Sequence, residues 1–129
     1  MSKNEDKSIY AEIRSLLAPL VEGRCYSDVT PDAPEFPLII YQVVGGEAID
    51  FYDRTVARTE NYRLQVYVWG TRRLEVEQLM RMARKQLVEQ SANFESLITL
   101  GQATDEYNET LKIYGSRQDF SAWLQVKEG

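Results

Sequence analysis

Few side chains in this 129-residue chain could do chemistry, and their types exclude most catalytic mechanisms. The chain has no histidine and only one cysteine, Cys25. This composition excludes Ser–His and Cys–His nucleophile pairs, histidine–metal sites and thiolate zinc sites. The Gly45-Gly46 pair is not followed by the Lys and Ser or Thr that a phosphate-binding loop requires. We therefore expect no enzymatic activity and no cofactor.

Two pairs of acidic residues are the remaining candidates for a chemical site. Asp50 with Asp53, and Asp105 with Glu106, could offer oxygen ligands to a hard cation. Neither pair is accompanied by a base or by further ligands, and acidic residues in loops are most often simply solvated. We therefore expect no metal site, and we interpret Cys25 as a small buried thiol.

Charge is distributed unevenly along the chain, whose formal net charge is −5. Residues 1–53 carry 4 basic and 10 acidic side chains, residues 54–85 carry 8 and 3, and residues 86–129 carry 3 and 7. The basic middle segment has three interpretations: a nucleic-acid patch, one half of a head-to-tail contact between identical subunits, or a solvated helix face. The low pI of 4.8 disfavours the first.

Hydrophobic periodicity predicts the elements that position these residues. Helical spacing predicts one helix from Ser8 to about Ala18 and a second after Thr71, which we expect to be its N-cap. Short apolar runs and period-two alternation predict four strands, at residues 38–44, 60–70, 97–100 and 111–126. We expect the first of these to be a central strand. Gly101 is expected to close the third strand, and Gly115 to mark a bulge in the fourth.

The order of these elements predicts an α+β fold in a single domain that covers residues 1–129. We expect a mainly antiparallel β-sheet of about four strands, with two α-helices packed against it. Residues 1–7 are expected to be disordered, residues 27–37 to form a proline-rich loop, and residues 45–59 to form a hairpin connection or an arm. The longest apolar run is only four residues, 38–41, which predicts no membrane span.

Four segments together resemble the tail-completion (tail-terminator) proteins of long-tailed bacteriophages and their prophages. In chain order they are Gly23-Arg24-Cys25-Tyr26, Pro37-Leu38-Ile39-Ile40-Tyr41-Gln42, Arg63-Leu64-Gln65-Val66-Tyr67-Val68-Trp69 and Asp119-Phe120-Ser121-Ala122-Trp123. With the predicted helices between them, these segments cover nearly the whole chain. Ser27 departs from the family pattern, which commonly has proline there, and residues 45–59 are unusually charged.

The resemblance implies a structural virion protein that forms a ring, generally six-fold, on the head-proximal end of the tail tube. Such a ring stops tube polymerisation and provides the head–tail joining surface. The implied partners are copies of the same chain, the major tail tube protein and the head–tail connector protein, with no membrane and no specific nucleic acid. The implied location is the virion, or the cytoplasm of the bacterial host during assembly. Another phage neck or head–tail joining adaptor, and a small nucleic-acid-binding module, are the alternatives.

Seven side chains are candidate contacts between subunits or with partners: Arg54, Arg58, Arg72, Arg73, Tyr67, Trp69 and Trp123. The four arginines belong to the basic middle segment, where they could meet an acidic surface of another subunit. The three aromatic residues either anchor a partner or cover the protein's own surface, and the sequence leaves both interpretations open. We expect the strand at residues 111–126 to offer an exposed sheet edge.

Overall fold

The computed structural model describes residues 9–46, 59–91 and 94–125. Arg54 and Arg58 lie outside the described residues, as do Asp50, Asp53 and residues 1–7. Most of the expected arm at residues 45–59 also lies outside them.

Two α-helices form where the helical spacing predicts them. Helix α1 spans Ile9–Leu17 and passes into a 3₁₀ turn, Ala18–Val21, because Pro19 cannot continue the α-helical hydrogen bonding. Helix α2 spans Arg73–Gln90 and buries five residues that share one face at helical spacing, which are Val76, Leu79, Met80, Ala83 and Leu87. Its N-cap is Arg72, without a side-chain capping bond, so the expectation that Thr71 caps this helix is wrong.

Within the described residues the sheet has five strands, one more than expected. They are β1 (Cys25–Ser27), β2 (Leu38–Val43), β3 (Thr59–Gly70), β4 (Ser96–Asn108) and β5 (Ile113–Gln125). Their spatial order is β1-β2-β3-β5-β4; β1 pairs with β2 in parallel, and every other pair is antiparallel. The three-residue β1 is too short to leave a periodic signal in the sequence. The predicted α+β architecture is confirmed, as is the internal position of β2.

Two expectations about the last strands are wrong. Strand β4 does not end at Gly101; its ladder shifts register between Leu100 and Thr104 and continues to Asn108. Gly115 pairs regularly on both sides, so the bulge belongs to β4 and not to β5. Strand β5 lies between β3 and β4, and β4 is the outer strand on this side of the sheet. The exposed edge expected at residues 111–126 therefore belongs to β4.

Both helices lie on one face of the sheet and enclose the core. Helix α1 packs near β1, and α2 packs over β3, β5 and β4. Alternate residues of β3 point into this core, where Leu64, Val66 and Val68 are fully buried. Full burial of such a side chain stabilises the fold by about 1.5–3 kcal/mol. The Tyr41 hydroxyl donates a hydrogen bond to the carbonyl oxygen of Tyr10 at 2.9 Å, which ties α1 to β2.

Candidate functional site

The face of the sheet opposite the helices, here called the helix-free face, carries three of the candidate contact residues. Tyr67 and Trp69 alternate with the core residues of β3, and Trp123 alternates with the core residues of β5. All three side chains are partly buried. The period-two pattern of β3 predicted this placement for Tyr67 and Trp69, because successive residues of a strand point to opposite faces.

Trp69 is held against the backbone of the neighbouring strand. It pairs with Gly115 of β5, and the indole ring lies on this glycine. The Tyr67 hydroxyl donates to Oε1 of Gln65 at 3.4 Å. Both aromatic side chains therefore cover part of their own sheet while keeping a part of their surface available.

A small charged cluster lies beside these aromatic residues. Nη2 of Arg63 lies 2.7 Å from Oδ2 of Asp119, and Nε of Arg63 donates to the same oxygen at 3.1 Å. Arg117 Nε lies 3.9 Å from the other carboxylate oxygen, Oδ1. Two guanidinium groups thus share one carboxylate that is only 12% exposed.

Arg73 is paired with an acidic residue of its own chain. Its guanidinium donates to the carbonyl oxygens of Gly115 and Glu106, each at 2.8 Å, and lies 3.3 Å from Oδ1 of Asp105. It also lies 5.0 Å from the ring centroid of Tyr114, a cation–π geometry. Arg73 therefore anchors the start of α2 to β4 and β5, whereas the neighbouring Arg72 is exposed.

The outer face of α2 combines positive charge with exposed apolar surface; it is defined by Leu74, Arg81, Met82, Arg84, Lys85 and Val88. Leu74, Met82 and Val88 are 64%, 49% and 43% exposed. Lys85 is paired with Glu89 at 3.4 Å, and Arg84 donates to the hydroxyl of Thr99 at 3.1 Å. The basic middle segment thus contributes to two separate surfaces, since Arg63 lies on the helix-free face whereas Arg84 and Lys85 lie on α2.

The acidic loop, residues 28–35, follows β1, which is an outer strand of the sheet. Its charged residues Asp28, Asp32 and Glu35 are exposed, as is Val29, which is 70% exposed. Among the described residues, none of these three carboxylates lies within 4.0 Å of a cationic nitrogen. The loop therefore presents unneutralised negative charge around an apolar side chain.

Of the chemical groups singled out in the sequence, the structure describes Cys25, Asp105 and Glu106, and these three are not assembled into a reactive site. Burial raises the pKa of the Cys25 thiol to about 12, so the thiol is protonated and unreactive near neutral pH. Asp105 faces α2, and the adjacent Glu106 points to the helix-free face, so these two carboxylates cannot hold one cation together. Within residues 9–46, 59–91 and 94–125, no group of three or more Cys, Asp or Glu residues has the arrangement of a metal site.

None of the helices in the described part of the chain is long and apolar enough to span a membrane.

A model of the family Tail completion protein gp17 matches residues 9–125, nearly the whole chain. The chain belongs to this family. It is therefore a structural tail protein of the phage virion, as the four sequence segments implied. No curated protein matches the sequence significantly.

The fold of this tail completion family member is also found in a solved particle structure. A chain of the structure titled "Virion of native gene transfer agent (GTA) particle" is similar with a TM-score of 0.64. The alignment covers 96% of this chain and 99% of that chain, at 16% sequence identity. At this identity the likeness shows a shared fold.

Proposed function

We propose that this protein forms a ring on the head-proximal end of a phage tail tube. The ring stops tube polymerisation and provides the surface for head–tail joining. The family match over residues 9–125 carries this proposal, because completion of the tail is the role for which the family is named. The ring has six copies, the number that the sequence resemblance implies. A chain of similar fold in a gene transfer agent virion supports an assembly role.

The helix-free face is the surface that we assign to the major tail tube protein. It offers partly exposed aromatic side chains, Tyr67 and Trp123, and the 52% exposed Ile98 of β4. Aromatic side chains are enriched among the residues that dominate binding energy, because each buries a large area at a small cost in side-chain entropy. The Arg63–Asp119 pair adds a polar group that can orient the contact.

Strand β4 supplies a second feature suited to assembly, a long outer strand. Its backbone groups on the side away from β5 have no neighbouring strand in the described sheet. The bulge between Leu100 and Thr104 interrupts this edge, which limits uncontrolled strand pairing between copies. A subunit with one interrupted edge can join neighbours in a defined way without forming an open β-aggregate.

Polymerisation of the tube protein tests the proposed function. We expect purified tube protein to form tubes of uncontrolled length alone, and short tubes with one blunt, capped end when this protein is added. Electron microscopy measures the length distribution and shows the ring. A tube-length distribution that is the same with and without the protein would contradict the proposal. A monomer in free solution would not, since the ring can close only on the tube.

Trp123→Ala is the variant that tests the assigned tube surface. Leu111→Ala is its control, because Leu111 is 58% exposed but lies in the turn between β4 and β5. We expect the first variant to fold and to lose capping, and the control to cap tubes normally. Normal capping by Trp123→Ala would show that the helix-free face does not bind the tube protein.

A further inference from the structure

The acidic loop and the outer face of α2 lie over different parts of the sheet. The acidic loop follows β1, one outer strand, whereas α2 packs over β3, β5 and β4, and its Arg84 reaches Thr99 on β4. These three strands lie two to four interstrand spacings, about 10–19 Å, from β1. Electrostatic screening at physiological ionic strength has a length of about 8 Å. The acidic loop and the outer face of α2 therefore do not neutralise each other within one copy.

Each region also exposes an apolar side chain beside a charged side chain. The outer face of α2 carries Met82 at 49% exposure beside Arg81, for which no carboxylate lies within 4.0 Å among the described residues. The acidic loop carries Val29 at 70% exposure beside Asp28, whose carboxylate lies within 4.0 Å of no cationic nitrogen of the described residues. An exposed apolar group beside a charge without a partner favours a second surface that supplies apolar area and the opposite charge.

We propose that the acidic loop of one copy docks on the outer face of α2 of the next copy, with Val29 against Met82. The carboxylates of the loop then face the guanidinium groups of the helix. The two surfaces are different, so repetition of the contact runs head to tail, and it forms a ring where the rotation from copy to copy closes. This inference rests on the proposed function and names the surfaces that join its subunits.

Charge reversal tests the contact with two complementary variants. One variant carries Arg81→Glu with Arg84→Glu, and the other carries Asp28→Lys with Asp32→Lys; all four positions are exposed. In each variant alone, like charges meet at every junction, and we expect tube capping to be lost. In an equimolar mixture every junction again joins opposite charges, so capping returns through rings in which the two variants alternate. Thermal unfolding of each variant verifies that it is folded.

Cross-linking tests the same contact at the level of residues. A chain with Val29→Cys and Met82→Cys is incubated with tubes and a short bismaleimide. We expect a ladder of covalent multimers, because each copy is linked to two neighbours. Native Cys25 is 1% exposed and does not compete. The control chain carries Val29→Cys and Leu111→Cys; Leu111 is 58% exposed, against 49% for Met82, but lies in the turn between β4 and β5.

The outcomes separate this inference from the proposed function. A ladder specific to the Val29–Met82 chain, with rescue in the mixture of charge variants, supports the contact. Tubes that are capped normally by each charge variant alone, or equal ladders from both cysteine chains, overturn the contact and leave the ring intact. Tubes that even the unsubstituted protein fails to cap overturn the proposed function, and the contact with it.

Discussion

The indole ring of Trp69 occupies the space that a side chain at residue 115 would need. A Cβ atom added to Gly115 would lie 2.5 Å from Cζ3 and 2.7 Å from Cε3 of Trp69. The two residues are paired across β3 and β5, on the helix-free face. Gly115 is therefore required for close packing of an aromatic ring on the sheet and not for an unusual backbone conformation.

Gly115→Ala is expected to destabilise the protein, because the added methyl group must displace the indole of Trp69. Overpacking of this kind typically costs about 1–3 kcal/mol. Urea unfolding measures the loss, and tryptophan fluorescence reports the displaced ring. In a Trp69→Leu background we expect the same substitution to cost much less. An equal cost in both backgrounds would show that the indole is not the cause.

Substitution of the two adjacent arginines at the start of α2 is expected to affect stability differently. Arg73→Lys removes the planar fork that donates to the carbonyl oxygens of Gly115 and Glu106, each at 2.8 Å. Each hydrogen bond from a charged donor contributes about 1.5–3 kcal/mol, so we expect a clear fall in the free energy of unfolding. Arg72→Lys, at an exposed position, is the matched control and should leave that free energy unchanged. Equal stability of the two variants would contradict the anchoring role of Arg73.

Gln118 is expected to stabilise the bulge in β4. Its side chain is buried, and its amide nitrogen donates to the carbonyl oxygens of Leu100 and Gly101 at 3.1 and 3.0 Å. Gln118→Glu preserves the shape but removes the donor, so the carbonyl oxygens of Leu100 and Gly101 lose their hydrogen bonds. Each lost hydrogen bond costs about 0.5–1.5 kcal/mol, measurable by chemical denaturation. Faster amide hydrogen exchange in β4 should accompany it, and unchanged exchange there would argue against a role for Gln118 in the bulge.

Alkaline pH is expected to destabilise the protein partly through Cys25. Burial raises the pKa of its thiol from 9.0 to about 12, with a smaller opposing effect of the Arg14 guanidinium. A raised pKa in the folded state means that the stabilising effect is complete below about pH 9 and is lost as the pH rises through about 12. The free energy of unfolding should therefore fall more steeply over this range in the natural sequence than in Cys25→Ala. Parallel pH profiles for the two proteins would refute this.

Arg54 and Arg58 remain candidate contact residues from the basic middle segment, although they lie outside the described residues. We expect Arg54→Glu with Arg58→Glu to impair tail assembly and to leave the melting temperature nearly unchanged. Charges at the rim of an interface contribute about 0–1 kcal/mol to stability but more to association. Calorimetry and tube capping measure the two effects separately. Unfolding of the double variant would instead show that these arginines stabilise the fold.

Local patterns in the sequence determined the two helices, strands β2, β3 and β5, and the buried faces of α2 and β3. The five core residues of α2 and the alternating core residues of β3 were predictable, because a helix and a strand each repeat their buried side with a fixed period. The absence of histidine and the single cysteine already argued for a protein that acts through its surfaces. The four segments that resemble tail-completion proteins indicated the family that the match over residues 9–125 confirmed.

The tertiary structure alone decided how these elements are arranged. Strand order placed β5 inside the sheet and β4 at its edge, and it separated the acidic loop from the outer face of α2. The partners of Arg73 and the close approach of Trp69 to Gly115 also depend on residues that are far apart in the chain. Periodicity reports which side of an element is buried, but it carries no information about which strand is the neighbour. That choice is made by non-local pairing and packing, which exist only in the folded chain.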